Sequence, residues 1–470
     1  MKKKIYIIMF LLMGGLTSCN DWLDVKPETE QSLDEMFSAQ QGFQDVLTGS
    51  YLKFKADRLY GKQMTYGNIE YLAQHWDWDA QTVSGELSRY NYKSKLAENV
   101  MSNIFGGLYG VVVELNMMLK HIDEDKSIFE KGMYEIIKGE ALAMRAYCHL
   151  DLLRLFGPMP TNVSGKAILP YVKEATLDYH SHIPYQEYVD CLLNDLLEAE
   201  EMLKEYDPII STNKVEGLST SATDFLKDRQ LRMNYYAVKA LQARFYLWVG
   251  GAENMTKANT CAKEVIEAVN SRGKLQYTLG LPDDISKADF SFSSEHILAI
   301  HDYKLFDKAN NDFTGSVTYK KDQTMVKSEL FETGTTDIRL MLWNEQVSDN
   351  QSRSFTIRKY IQKDEKPKNQ IPLIRLTEMY FIAMECGSLE EANNLYNEFC
   401  VQRDITPVTI TNADQLKDIL VNEYNKEFYG EGQMFYAYKR LAVQHILWAL
   451  DEGTEECYVI PLPKKEVSYN

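Results

Sequence analysis

The stretch Gly139–Pro160, GEALAMRAYCHLDLLRLFGPMP, constrains the fold more than any other part of the chain. Ala141, Met144, Tyr147 and Leu150 recur at three-residue steps, and Leu155 follows five residues on. One face of a helix is therefore apolar, while Glu140, Arg145 and Arg154 fall on the other. Gly157, Pro158 and Pro160 end it. Ala143 and Ala146 beside Tyr147 let a neighbouring helix approach closely, which suits a stack of helix pairs better than an isolated bundle.

The N-terminus speaks to compartment. Lys2, Lys3 and Lys4 precede the apolar run from Ile5 to Leu16, and Leu16-Thr17-Ser18-Cys19 follows, in the order of a secretory signal over residues 1–18. The run is short for a membrane span. The spacing resembles a bacterial lipobox, which makes Cys19 the lipidated first residue of the mature chain, with acyl chains such as palmitate holding it to a membrane. Losing the three lysines would take the net charge from −17 to −20. That balance argues against nucleic acid. Six further cysteines are scattered without metal-ligand spacing and read as small core residues.

Helical patterning continues outside the central stretch. A frame at about 30–57, 96–270 and 373–445 is predicted, with Pro184 opening one helix. Met233–Gly250, a Gly-Gly turn and Met255–Val269 form a tetratricopeptide-type pair. Ile374–Cys386 and Leu389–Val401 repeat the layout, with Tyr246 matching Tyr380 and Ala258 matching Ala392 at an offset of 134. Two regions break the pattern: 58–95, dense in aromatics, and 271–372, whose short alternating runs and polar spans predict loops and small strands. The expected fold is mainly α, a tetratricopeptide-like helical-pair array with a loop-rich insertion containing short strands.

Several motifs then point the same way. Arg-Ala-Tyr at 145–147 runs into Leu155-Phe156-Gly157-Pro158-Met159-Pro160, and Asn116 closes a W-x-x-x-Y-x-x-I-x-x-x-N type pattern in which Phe105 replaces the tryptophan. Glu423, Glu427, Phe428, Glu431 and Gly432 fit E-R-x-x-E-F-x-x-E-G, with Tyr424 in place of the arginine. Phe435 to Arg440 fits W-x-D-L-K-R, with Ala437 in place of the aspartate, and Ile460-Pro461-Leu462-Pro463, Glu466 and Asn470 fit P-I-P-x-x-E-x-x-x-N. In this order they resemble the SusD/RagB-like outer-membrane nutrient-binding lipoproteins over essentially the whole mature chain. The resemblance implies one SusD-like domain over 19–470, attached to the cell outer membrane and facing outward. It also implies a non-enzymatic binder that passes oligosaccharides to a SusC-like TonB-dependent transporter.

Catalytic signatures are missing from the sequence: G-x-S-x-G, H-E-x-x-H, G-x-x-x-x-G-K and G-x-G-x-x-G do not occur. No cofactor or metal is expected. Aromatic loops are the positive signal, because tryptophan and tyrosine can stack on sugar rings while neighbouring groups hydrogen-bond the hydroxyls. His75, Trp76, Trp78, Tyr90, Tyr303 and Trp343 are the candidate ligand contacts. Core anchoring of the tryptophans is the equal alternative. Two other functions compete: a surface glycosidase, for which 68 acidic residues offer many carboxylate pairs, and a helical-repeat scaffold or adhesin.

Overall fold

Apolar periodicity, with small residues at the contacts, stacks eight helices side by side in chain order. The computed structural model describes residues 33–176, 178–212, 224–316, 318–348, 351–361 and 369–467. The helices are α1 (Gln40–Phe54), α2 (Lys95–His121), α3 (Met133–Phe156), α4 (Tyr185–Tyr206), α5 (Tyr235–Val249), α6 (Ala252–Ile266), α7 (Leu376–Cys386) and α8 (Leu389–Arg403). Each packs on the next, and α6 packs directly on α7 although residues 267–375 lie between them. This is the mainly α array of helix pairs that the sequence predicts. The signal segment and Cys19 lie outside the described residues, as does Asn470.

Some details differ from expectation. The first predicted helix is two, Leu33–Met36 and α1, and Pro184 is the residue before α4 instead of its first. A two-stranded hairpin, β1 (Ala167–Leu169) with β2 (Ile183–Pro184), interrupts the frame. Helix ends of the two repeated pairs, Val249 and Cys386, Ala252 and Leu389, Ile266 and Arg403, stand 137 apart. That is close to one helical turn from the 134 of the matched residues, so the same faces still point inward. α2 is long and apolar enough to cross a membrane by length and composition, yet it packs between α1 and α3 as an array helix.

The central helix α3 is buried nearly all round, which corrects the expectation of a polar face. Its buried charges instead meet partners from another element or from the helix's own next turn. Glu140 accepts from Arg229 Nη1 at 2.6 Å and from Tyr51 Oη at 3.0 Å. Arg145 grips Asp195 of α4 through Nε and Nη2, both at 2.7 Å, and donates to Asn116 of α2 at 2.8 Å. Arg154 Nε donates to Asp151 at 2.9 Å, and Asp151 accepts the Tyr60 hydroxyl at 2.5 Å. Buried polar groups are tolerated only when satisfied in this way. Gly139 is required by proximity: a Cβ there would lie 2.7 Å from Leu203 Cγ of α4.

The excursion between α6 and α7 carries β3 (His296–His301), β4 (Lys321–Asp322), β5 (Trp343–Val347), β6 (Arg353–Ile357) and β7 (Gln370–Arg375). β3 and β7 pair antiparallel, His301 opposite Gln370, so the part of the excursion between them is clamped at its base, next to α7. β4, β6 and β5 form a separate antiparallel sheet in that order. Two helices longer than four residues follow α8: α9 (Ala413–Glu427), which touches α7, and α10 (Met434–Leu441).

A buried ion network fastens the excursion to this C-terminal part. Arg375 donates to Glu431 at 2.9 Å and to Glu295 and Glu427 at 2.8 Å. Arg403 reaches Glu295 at 2.6 Å and Glu427 at 2.8 Å, Arg339 reaches Glu423 at 2.6 Å, and Lys359 reaches Glu431 at 2.6 Å. The motif carboxylates 423, 427 and 431, four residues apart, thus join Glu295 as acids of this network.

Candidate ligand-binding site

Residues 58–95 are held against the C-terminal helices by a second buried cluster. Glu70, on the short helix Ile69–Leu72, accepts the backbone N–H groups of Gly430 at 2.8 Å and Gly432 at 2.6 Å. Both glycines have φ near +74°, a conformation other residues adopt at a cost. His75 Nδ1 donates to Glu70 at 2.5 Å, and its Nε2 lies 3.2 Å from Asn425 Oδ1. Tyr429 stacks on the His75 ring at 4.0 Å and donates its hydroxyl to the His75 carbonyl.

Three of the six predicted contacts converge here, but in the interior. Trp76 has no exposed surface, donates Nε1–H to the Tyr66 carbonyl at 2.9 Å and sits edge-on to Tyr429 at 5.1 Å. Trp343 lies 4.5 Å from the same Tyr429 ring and is also buried. His75, Trp76 and Trp343 therefore present no face to solvent; the bonds of Tyr429, Glu70 and Asn425 draw them inward.

The chain turns outward immediately afterwards. Asp77 N–H donates to the Lys320 carbonyl at 2.8 Å, tying this loop to the excursion beside β4. Trp78 is half-buried, with the Arg89 guanidinium 5.4 Å from its ring centre. Lys321 Nζ donates to the Gln74 carbonyl at 3.0 Å and lies 3.6 Å from Asp77 Oδ1. The same ammonium stands 4.3 Å from the ring of Trp448, whose Nε1–H donates to Glu329 at 2.8 Å. Trp448 is half-buried at φ +66°, a strained conformation for so bulky a residue. Burial pushes the Lys321 ammonium below its usual range and the Asp77 carboxyl above it, each opposed by the attraction of the other.

Tyr90 is half-buried and spends its hydroxyl on the Leu72 carbonyl at 3.0 Å, supporting the loop from beneath. Tyr303 is 66% exposed and lies with Lys55 and Lys304 beside its ring, at the end of β3. The structure thus places Trp448 over Lys321, which pairs with Asp77, and leaves Trp78, next to Asp77 in the chain, half-buried. Trp448 and Lys321 were not found from the sequence: neither lies in an aromatic-rich stretch, and only folding brings them to Asp77. A partly exposed indole beside a charged pair can hold a flat apolar ring face and bond its polar edge. Among the described residues, no group of three or more His, Cys, Asp or Glu could hold a metal ion.

The SusD-like family model described as "Starch-binding associating with outer membrane" matches residues 21–247. Among solved structures, a SusD superfamily protein from Bacteroides thetaiotaomicron is 21% identical, with 92% of this chain and 98% of that one covered at a TM-score of 0.71. The fold is SusD-like. A SusD-like carbohydrate binding protein from Bacteroides vulgatus, 18% identical, aligns over 86% of this chain and 83% of its own at 0.65. A SusD superfamily protein from the same organism, 16% identical, aligns over 92% and 98% at 0.68. No curated protein matches the chain. The SusD-like fold thus spans the helical array and the excursion together.

Proposed function

We propose that this SusD-like chain is a non-catalytic, lipid-anchored binding protein on the outer face of the outer membrane. It captures oligosaccharides and hands them to a SusC-like TonB-dependent transporter. The family model's description and the lipobox at Cys19 support the location and the ligand class. The observation that carries the binding function is the half-buried Trp448 over the Lys321–Asp77 pair, with half-buried Trp78 next to Asp77 in the chain. Sugar rings stack on the indoles, and the ammonium and carboxylate take hydroxyls. Buried His75, Trp76 and Trp343 form the base of this shelf, with Tyr90 beneath it.

Isothermal titration with neutral oligosaccharides, malto-oligosaccharides first, tests this. Trp78→Ala and Trp448→Ala should each weaken binding by about tenfold, the loss of one stacked ring. Unchanged affinity in both variants removes the shelf from consideration.

A further inference from the structure

A second cleft, of about 330 Å³, lies between α1 and the turn that precedes α5. Thr48, Tyr51, Leu52 and Lys55, spaced along one face of α1, form one wall, and Lys227, Asp228 and Arg232 face them. Ile300 and His301 at the end of β3 close it.

Charge sets this cleft apart. In a chain of net charge −17, Lys55, Lys227, Arg229 and Arg232 here outnumber Glu140, Asp207 and Asp228. Arg229 is bound by Asp207 at 2.9 Å and Glu140 at 2.6 Å, and with Arg232 it balances those two acids, so the excess comes from Lys55 and Lys227 over Asp228. Arg232 spends Nε on Glu140 at 2.9 Å, but its buried Nη2 has no acceptor among the described residues. Its guanidinium is held flat between the rings of Phe225, 3.8 Å away, and Tyr51, 4.8 Å away. Lys55 donates one N–H to the His301 carbonyl at 3.2 Å and stands 5.9 Å from the ring of Tyr303. Burial and the Lys55 ammonium hold the His301 imidazole below its ordinary range.

We infer that this cleft binds the anionic group of an acidic sugar, a carboxylate or a sulfate ester, with Tyr303 taking the ring. The inference rests on the sugar-binding function proposed above and adds a site distinct from the Trp78 and Trp448 shelf. Lys55 and Arg232 supply charge-assisted donors to the anion.

The test titrates methyl glucuronide, methyl glucoside 6-sulfate and methyl glucoside, which share one ring and differ in the anionic group. At least one acidic sugar should bind about tenfold tighter than the neutral one, with affinity falling as salt rises. Comparison of the two acidic sugars assigns the carboxylate or the sulfate. Lys55→Glu should abolish that preference and Lys55→Gln reduce it, with thermal melts confirming both variants folded. The Trp78→Ala/Trp448→Ala double variant should keep it. Equal affinity for all three sugars overturns the inference, as does an acidic preference that survives Lys55→Glu or disappears in the tryptophan double variant. Neutral oligosaccharide binding at the shelf is measured separately, so this inference can fail while the proposed function stands.

Discussion

Trp76 and Trp78 are two positions apart, yet one is locked among Tyr66, Phe313, Tyr319 and Tyr429 while the other meets solvent. Trp76→Ala should cost about 3–5 kcal/mol in urea unfolding, as emptied core sites do. Trp78→Ala should cost under about 1 kcal/mol and act on ligand affinity instead. The sequence shows a ring-bearing loop at 75–78, but which ring turns inward depends on Tyr429, Asn425 and Gly430, some 350 residues later. Local pattern holds no trace of those partners. Lys439 offers a pH test at the same scale. It is fully buried, donates to the carbonyls of Leu155 and Gly157 at the end of α3, and burial pushes its pKa down to about 7. In the unfolded chain the same group keeps its proton to about 10.4. The unfolded state therefore binds more protons between those values, and stability rises with pH across that window. Relative to Lys439→Met, the wild type should gain roughly 1 kcal/mol per pH unit from pH 7 to 9 in paired urea titrations. A constant gap between the two proteins would contradict the burial of a charged ammonium.

At the scale of elements, the long helices were legible because apolar periodicity is local. The polar half of α3 was misjudged because its partners, Asp195, Asp207 with Arg229, and Tyr60, arrive from other elements. The motif positions where the chain departs from its family find other solutions. Tyr424 packs on Phe381 at 5.0 Å and Phe428 at 5.2 Å, and Arg440 pairs with Glu385 at 2.7 Å. Glu423, Glu427 and Glu431 could be placed on one face by spacing, while the arginines that meet them could not. Arg375→Met should destabilise by about 3–5 kcal/mol, since it strands buried carboxylates. Burial raises Glu295 and Glu427, but Arg403 and Arg375 overcome it and hold both below the usual carboxylate range. Their contribution is present above the unfolded value near 4.3 and is lost as pH falls through the folded values. Acid unfolding followed by circular dichroism should accordingly begin at higher pH in Arg375→Met than in the wild type.

For the molecule as a whole, the division into stacked helices and a loop-rich excursion was readable from the change of period near 271 and 373. The neck formed by β3 and β7 was not, because pairing between strands some seventy residues apart leaves no local mark. Attachment is also a property of this scale. Cys19→Ala should move the protein from the membrane fraction to the soluble one on fractionation while oligosaccharide affinity stays the same; a variant that remains membrane-bound would refute the lipid tether. Direct packing of α6 on α7 has a further consequence. The stack closes on itself without help from the segment it extrudes, so evolution or an engineer can graft a foreign loop system of other length and specificity at that seam. The graft must bring the strand pair that zips its base, the four side chains, Glu295, Arg339, Lys359 and Arg375, that plug into the acids and arginine waiting below, and apolar residues in place of Phe313, Tyr319 and Trp343 against Trp76 and Tyr429.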